Sequence, residues 1–340
     1  IIKMSGNYPI YGASGLAGKV NFYHQEQPYV AVVKDGAGIG RTTLNPAKSS
    51  VIGTMQYLIP KKNVLPEYLF YVVSYMHLEK YYTGATIPHI YFKDYKNEEF
   101  NLDNIEKQLE IIDVLGRCKK VIEARKQELV ELDSLTKARF VELFGDPRSN
   151  PFGFEKKMLK DTCKVITGNT PSRAIAEYYG DYIEWIKTDN IVSGILNPTQ
   201  ATESLSEKGM NVGRTVEKDS ILMACIAGSI ASIGRVCITD RTVAFNQQIN
   251  AVVPEQYNIL FLYVLLQMSK DYLVEDINMA LKGILSKSKL EEKEFIIPPM
   301  DLQEQFSDFV KQVNKSKVAV QKALDETQIL FDSLMQKYFG

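Results

Sequence analysis

The sequence predicts an α+β fold in which two mixed, strand-rich regions are separated by two long helices. These helices are predicted to pack as an antiparallel coiled coil, and the chain carries a pseudo-two-fold internal repeat. Two observations lead to this prediction. Short motifs recur in the same order about 194 residues apart. Each copy also ends in a charged stretch whose apolar residues keep a period of about 3.5.

The internal repeat rests on short matches whose order along the chain is kept. They are 38–41 with 232–235, 59–60 with 253–254, 68–73 with 261–266, and 133–135 with 332–334. The separation drifts to 199 residues by the last match, as loop insertions would produce. We therefore predict strand-rich regions at 1–100 and 148–299, and helices at 101–147 and 300–340.

In each helical stretch the apolar residues form a stripe along one side of the helix. Neither helix can bury its stripe alone, so we predict that the two stripes pack against each other and form the seam of the coiled coil. An early apolar cluster, formed by Ile105, Leu109 and Ile112, precedes the first stripe. The predicted seam residues are Leu115, Ile122, Leu129 and Leu132 in the first helix, and Leu302, Phe306, Phe309, Val313, Val320, Leu330 and Leu334 in the second.

Composition limits the class of protein. The chain has 340 residues, 45% of them hydrophobic, which suffices for two cores. No apolar stretch approaches the roughly 20 residues of a membrane helix and no signal peptide is seen, so we expect a cytoplasmic protein. The four cysteines lack Cys-x-x-Cys spacing and there are three histidines, so neither a metal site nor a disulfide framework is expected.

The net charge of the chain argues against a protein that binds nucleic acid mainly through a high overall positive charge. The formal net charge is −1, and only residues 1–100 are basic, with 10 basic and 7 acidic residues. Binding by the chain alone is therefore expected to be weak.

The glycine-rich stretch DGAGIG at 35–40 has two readings, a cradle for a phosphate or methyl-donor nucleotide and a backbone turn. A Walker loop is excluded because no Gly-Lys-Ser/Thr follows, and Asn45-Pro46 breaks any following helix. The tetrapeptide of amino-methyltransferases is missing as well. The second copy, AGSIASIGR at 227–235, loses the triple glycine, which favours the turn.

Further motifs lie in an order typical of one family. They are YPIYGASG at 8–15, GIG at 38–40, GATIPHI at 84–90, WIKTDNI at 185–191, SIGRV at 232–236, FNQQ at 245–248 and PPMDLQEQ at 298–305. On these motifs nearly the whole chain resembles the specificity (S) subunit of Type I restriction-modification systems. One departure is that the second region starts near Phe154 and runs about 40 residues before the point equivalent to Ile1. The first region therefore lacks its opening strand and loop.

The resemblance implies two target recognition domains, at 1–100 without its N-terminal part and at 148–299, each followed by a conserved-region helix. It implies a subunit without catalytic activity that reads a bipartite, asymmetric site in double-stranded DNA, with the spacing set by the coiled coil. Two methyltransferase (M) subunits would dock on it, and motor-nuclease (R) subunits would join the full complex. No cofactor is expected in this chain, because S-adenosylmethionine, ATP and Mg would belong to the partners.

Residues that suit DNA contacts were chosen from polar loop positions of the two recognition domains. Arg and Lys suit phosphates or guanine, Asn and Gln suit adenine, and hydroxyls suit either. The candidates are Tyr11, Ser14, Lys34, Arg41, Thr86 and His89 in the first copy, and Thr170, Arg173, Lys187, Asn190, Ser229, Arg235 and Gln247 in the second.

Structural alternatives stay open for several of these residues. Arg41 and Arg235 recur in both copies, so a shared structural ion pair would also explain them. His89 suits a core histidine equally well, and Trp185 is expected to be a packing anchor.

Two other function classes remain open from the sequence. One is an enzyme, as a fragment of a fused DNA methyltransferase. The other is a non-catalytic coiled-coil scaffold that presents two protein-binding modules.

Overall fold

The computed structural model describes residues 6–84, 86–275, 277 and 283–340. Ala85, within the GATIPHI motif, and the first five residues of the predicted region 1–100 lie outside this description. The chain forms two compact units, unit 1 with Ile1–Gln127 and Gln321–Gly340, and unit 2 with Glu128–Val320. Both long helices contribute to both units, so the predicted four-part division at residues 100, 147 and 299 stays a prediction.

The described residues form short strands and a few helices, two of which are long. The strands are β1 (Tyr8–Gly12), β2 (Gly15–Val20), β3 (Tyr29–Val33), β4 (Thr42–Asn45), β5 (Ser50–Val51), β6 (Met55–Leu58), β7 (Glu155–Met158), β8 (Cys163–Thr167), β9 (Tyr179–Gly180), β10 (Ile183–Ile186), β11 (Ser204–Leu205), β12 (Thr215–Val216), β13 (Ile221–Ala224), β14 (Val236–Ile238), β15 (Val243–Phe245), β16 (Ile249–Pro254) and β17 (Glu294–Ile297). The α-helices are α1 (Pro66–Tyr75), α2 (Phe92–Tyr95), α3 (Ile105–Phe144), α4 (Glu207–Val212), α5 (Ile259–Met268), α6 (Lys270–Val274), α7 (Lys287–Glu291) and α8 (Met300–Phe339).

Unit 1 contains two small sheets. In the order β2-β1-β5, β1 is antiparallel to β2 and parallel to β5. In the order β4-β3-β6, both pairings are antiparallel. The β-branched run of β3 is buried throughout, with Ala31 facing one apolar cluster and Val32 another. A strand covered on both faces is expected to read as a continuous apolar run.

Unit 2 repeats this arrangement with additional strands. The sheet β14-β13-β16-β8 corresponds to β4-β3-β6, because β13 pairs antiparallel with both β14 and β16. The parallel pairing of β10 with β15 corresponds to that of β1 with β5. A third pair joins β7 and β17. In unit 2, β8 extends the sheet beyond β16, whereas β6 is the edge strand in the described part of unit 1.

The two long helices pair antiparallel in each unit. In unit 1, Leu115 of α3 lies in one apolar cluster with Met335 near the end of α8. In unit 2, Asp133 pairs with Lys317, and Phe140 contacts Phe306 near the start of α8 with ring centroids 5.6 Å apart. As residue numbers rise along α3, those of the partner residues fall along α8. The predicted fold class is confirmed.

Most of the predicted seam residues are shielded from solvent, with one exception. Five of them are buried, namely Leu115, Ile122, Phe306, Val313 and Val320. Five are half-buried, namely Leu129, Leu132, Leu302, Phe309 and Leu334.

Leu330 differs from the prediction, because it is 52% exposed. Its neighbour Phe331 packs instead against the cluster that contains Tyr71 of α1. An α-helix has 3.6 residues per turn, so a strict 3.5-residue stripe drifts around it, and the end of α8 must face α1 as well as α3. In the early cluster, Ile105 and Leu109 are exposed, whereas Ile112 is half-buried.

Candidate nucleic-acid interface

The glycine-rich stretch of unit 1 is the turn between antiparallel strands β3 and β4. Its ends are closed by Gly40 N–H donating to Val33 O and Val33 N–H donating to Arg41 O, both at 2.9 Å. Gly36 and Gly40 have φ values of 91° and 80°, which residues with a Cβ rarely adopt. A strand follows rather than a helix, so the helix N-terminus that a nucleotide cradle uses is missing here.

Unit 2 closes the equivalent turn with the same hydrogen bonds. Gly234 N–H donates to Ala224 O at 2.8 Å, and Ala224 N–H donates to Arg235 O at 2.9 Å. The loop between them is longer and carries a 3₁₀ turn, Ile230–Ser232. Ser229 is exposed before this turn, and its Oγ lies 3.1 Å from Ser232 Oγ. The turn is therefore a repeated frame whose loop varies in length and side chains.

The two repeated arginines stabilise these loops. Arg235 donates through Nε to Ser232 O and through NH2 to Thr188 O, each at 3.3 Å. The guanidinium of Arg41 covers Gly38, where a Cβ would lie 2.4 Å from its NH2 atom. Within the described residues, neither arginine has a carboxylate within 4.0 Å, so the shared ion pair considered for them is not present.

His89 and Asp35 form a polar pair at the surface of unit 1. The His89 Nδ1 atom is hydrogen-bonded to Asp35 Oδ1. Two further bonds, Gly36 N–H to Pro88 O and Ile90 N–H to Lys34 O, both 2.9 Å long, join the glycine turn to the 84–90 loop. The His89 side chain remains 25% exposed, so it is not a core histidine.

An open cavity of about 660 Å³ surrounds this pair. The ring of Tyr91 lies 4.0 Å from that of His89, centroid to centroid, and Ile87 is 67% exposed. We call Asp35, Ile87, His89, Tyr91 and Lys93 the His89 surface. Thr86 is exposed in the same loop. Sequence reasoning missed Asp35, whose only signal was an acidic residue at the start of the glycine stretch.

The other candidates of unit 1 lie on the sheet β2-β1-β5. Ser14 is exposed in the two-residue turn between β1 and β2. Tyr11 is half-buried against the cluster of Tyr29 and Val51, which gives it a packing role. These two residues therefore belong to a different part of unit 1 from Lys34, Arg41 and His89, which lie in the loop between β3 and β4 and in the 84–90 loop.

In unit 2, two candidate cations share one carboxylate over an aromatic surface. Glu203 accepts from Arg173 at 2.8 Å and from Lys187 at 2.5 Å. The Arg173 guanidinium lies 4.4 Å from the ring centroid of Tyr179 and 5.2 Å from that of Trp185. We call Arg173, Tyr179, Trp185, Lys187 and Glu203 the Trp185 cluster. Hydrogen bonds from Arg173 and then from Lys187 lower the pKa of Glu203 to about 2.

Further polar side chains border the Trp185 cluster. Trp185 is 3% exposed, as expected for a packing anchor, and its Nε1–H donates to Asn169 O at 3.3 Å. The next residue, Thr170, is hydrogen-bonded through Oγ1 to Gln247 Oε1, and both side chains are exposed. Asn169 Oδ1 is buried and accepts no hydrogen bond from the described residues, so it is an additional polar group at this site.

Asn190 is not available to read a base, contrary to its choice from the sequence. It is 7% exposed, and its Oδ1 accepts from Lys187 N–H at 2.9 Å. Its Nδ2 donates to Gln200 O at 3.0 Å and to Thr199 Oγ1 at 3.3 Å. Its side chain thus holds the loop that carries Lys187, because its donors and acceptor already have partners.

The described residues contain neither a helix able to cross a membrane nor a group of three or more His, Cys, Asp or Glu side chains able to hold a metal ion. The three buried cysteines are Cys163, Cys225 and Cys237, and burial raises each thiol pKa to about 12. Thiols with such high pKa values are poor nucleophiles and poor metal ligands at neutral pH.

Comparisons with known proteins agree on one family. The model of the Type I restriction modification DNA specificity domain matches residues 1–133 and 151–327. The chain is 35% identical over 120 residues to the Type I restriction enzyme HindI specificity subunit of Haemophilus influenzae, covering 34% of this chain and 25% of that protein. It is 25% identical over 307 residues to the MjaIX specificity subunit of Methanocaldococcus jannaschii, covering 82% of this chain and 69% of that protein.

Solved structures share the fold. The S subunit of a Type I restriction-modification system from M. genitalium superposes with a TM-score of 0.61 at 16% identity, covering 100% of this chain and 90% of that one. A chain from a study of complex assembly and conformational transition of the Type I system gives 0.57 at 15% identity, covering 98% and 91%. The matched relatives are named specificity subunits, the non-catalytic class of these systems. Since the family model matches most of its length, the chain belongs to the Type I restriction modification DNA specificity domain family.

Proposed function

We propose that this chain is the DNA sequence-specificity subunit of a Type I restriction-modification complex and carries no catalytic activity itself. One observation supports this above all: the same hairpin frame recurs in both units but presents different chemistry. Unit 1 offers the His89 surface, whereas unit 2 offers the Trp185 cluster with Thr170 and Gln247. A bipartite, asymmetric DNA site requires two such readers of unlike specificity.

The side chains on these surfaces suit duplex DNA. His89, Thr86, Thr170 and Gln247 offer hydrogen-bonding groups of the kind that read base edges in the major groove. Lys34, Arg173 and Lys187 suit phosphate oxygens, which hold the protein in register without reading sequence. The carboxylate of Glu203 keeps two of these cations in fixed positions before DNA arrives.

We further propose that 1–100 and 148–299 act as target recognition domains and that the coiled coil sets the unread spacer. Each long helix has 40 residues, or about 60 Å at 1.5 Å per residue. Inserting one heptad into both helices is expected to lengthen the unread spacer in methylation-site mapping. An unchanged spacer length would refute the proposal that the coiled coil sets the spacer.

Docking of two methyltransferase subunits is supported by apolar side chains exposed on the long helices. In unit 2 these include Val130, Leu135 and Val318, and in unit 1 Val121 and Ile329. Exposed apolar patches mark protein interfaces, and an internal repeat presents similar surfaces twice. The partners would bind S-adenosylmethionine, and motor-nuclease subunits with ATP and Mg would join for cleavage. We place the complex in the cytoplasm, where host DNA is accessible.

The test is to express the chain with the methyltransferase subunit of its own system and to map methylated adenines in host DNA. His89→Ala is expected to relax one half-site and to leave the other unchanged, and Gln247→Ala is expected to do the reverse. Ser333→Ala, at an exposed position of α8 outside both surfaces, serves as the control. If both variants relaxed the same half-site, or if no split site were methylated, the proposal would be wrong.

A further inference from the structure

A cavity of about 270 Å³ lies in unit 2 between the paired helices and the Gly234 turn. Four cations line it: Lys137 from α3, Lys317 from α8, Arg235 from the turn, and Lys270 at the start of α6. The lining also includes the amides of Gln267 and Asn314 and a single carboxylate, Asp133. This volume is below the roughly 300–1,000 Å³ of cavities that hold drug-sized ligands.

The charges in this cavity do not cancel. Asp133 is paired with Lys317, whose side chain is only 20% exposed. Arg235 uses its donors on main-chain carbonyls, and Lys270 Nζ donates to Ala231 O at 2.5 Å. Across the described residues, Lys137, Arg235 and Lys270 have no carboxylate within 4.0 Å, so four cations face one anion and the lining carries a net charge of +3.

The repeat indicates that the scaffold does not need these cations. By the matches 133–135 with 332–334 and 68–73 with 261–266, Lys137 corresponds to Gln336 and Lys270 to His77. In unit 1, His77 is paired with Glu79 at 3.2 Å. The cavity beside α1 in unit 1 is lined by apolar side chains, such as Tyr71, Ile122 and Phe331, together with Lys119, Lys126 and Glu123, so its charged residues carry a net charge of +1. The cavity of unit 2 thus has a higher net charge than the cavity of unit 1, +3 against +1, and the difference is not required by the shared frame.

We propose that this cavity binds a phosphate group. Like charges held together in a partly enclosed space raise the local concentration of anions, and phosphate accepts charge-assisted hydrogen bonds from Arg and Lys. The amides of Gln267 and Asn314 supply further donors. The phosphate belongs either to the DNA backbone, which would extend the proposed function, or to a small phosphorylated molecule, which does not depend on it.

The test uses the full chain and a double variant, Lys137→Gln with Lys270→Gln, which introduces at the first position the residue found in the other copy. The control double variant, Lys311→Gln with Lys322→Gln, removes the same charge from exposed positions of α8. Binding of inorganic phosphate and of ATP is measured by calorimetry at constant ionic strength. Binding to duplex DNA is measured over a range of salt concentrations.

The wild type and the control variant are expected to bind inorganic phosphate saturably. The cavity variant is expected to bind it at least about tenfold more weakly. If DNA supplies the phosphate, the cavity variant also loses about 0.9 from the slope of log affinity against log salt per contact removed. If the cavity variant has the same salt slope for DNA as the wild type, and the wild type binds ATP more tightly than inorganic phosphate, the ligand is a small phosphorylated molecule. The proposal is overturned if the wild type binds no phosphate and the wild type and the cavity variant have the same salt slope for DNA. It is also overturned if the control variant weakens phosphate binding as much as the cavity variant does. Methylation mapping separately tests the proposed function.

Discussion

The aromatic cluster that joins both long helices to α5 in unit 2 makes a measurable prediction. Phe306 is fully buried, and its ring centroid lies 5.6 Å from that of Phe140, 5.5 Å from that of Phe144 and 6.4 Å from that of Phe261. Phe306→Ala removes this buried ring and leaves a cavity, which costs about 3–5 kcal/mol of unfolding free energy. All three partner rings are fully buried as well, so little collapse can fill the space and the upper half of this range is expected.

The assay is urea unfolding followed by tryptophan fluorescence. The chain has one tryptophan, Trp185, which is buried in unit 2 and therefore reports on that unit. Val318→Ala on the same helix is the control, because Val318 is 71% exposed and its truncation should cost less than about 0.5 kcal/mol. Equal effects of the two substitutions would show that α8 is not packed in unit 2 through Phe306.

Three further outcomes are expected. Glu203→Gln should reduce the loss of stability that the wild type undergoes between about pH 4.5 and pH 2, because the lowered pKa of Glu203 makes its ionised form stabilising above that range. The carboxylates of Glu98 and Glu177, whose pKa values are also lowered, keep their own share of that loss. Tryptophan fluorescence in urea at each pH measures the difference. Asp35→Asn should weaken discrimination about tenfold at the half-site that His89 is proposed to read, because an amide can either donate to or accept from Nδ1 and so no longer fixes the His89 tautomer. The other half-site should be unaffected. Leu330→Ala should lower the free energy of unfolding by at least about 1 kcal/mol less than Phe331→Ala does, as measured by urea unfolding followed by circular dichroism. The reverse order would support the seam that the sequence predicts.

The helices and the repeat were accessible from sequence because both depend on local pattern. A 3.5-residue stripe is visible without any tertiary contact, and the matched turns use the same backbone hydrogen bonds in both copies. Leu330 was placed in the seam because the pattern alone cannot tell that the end of α8 also packs against α1.

The candidate interface was harder to predict from the sequence, because residue type does not indicate whether a side chain already forms hydrogen bonds within the protein. Asn190 and Arg235 have groups that suit base or phosphate contacts, but the structure uses them on the protein's own loops. Asp35 was missed because its partner His89 is 54 residues away. Such commitments depend on loop conformation and not on local composition.

Two buried glutamines anchor the long helices to the strand-rich regions in the same way. Gln108 Oε1 accepts from Leu65 N–H, and Gln303 Oε1 accepts from Asn258 N–H, both at 2.9 Å. These glutamines are 0% and 1% exposed, so each fixes the start of its long helix relative to the start of α1 or α5.

Beyond this common anchor the two helices have the same length, 144 − 108 = 36 and 339 − 303 = 36 residues, but the matched motif lies at different distances from it. Gln108 precedes Asp133 by 133 − 108 = 25 residues, whereas Gln303 precedes the matching Asp332 by 332 − 303 = 29 residues. The four additional residues make slightly more than one turn, so the matched motif lies about 6 Å farther along α8 and about 40° around its axis. The matched carboxylates accordingly have different partners: Asp133 pairs with Lys317 of α8, whereas Asp332 is exposed and accepts from Gln328 of its own helix.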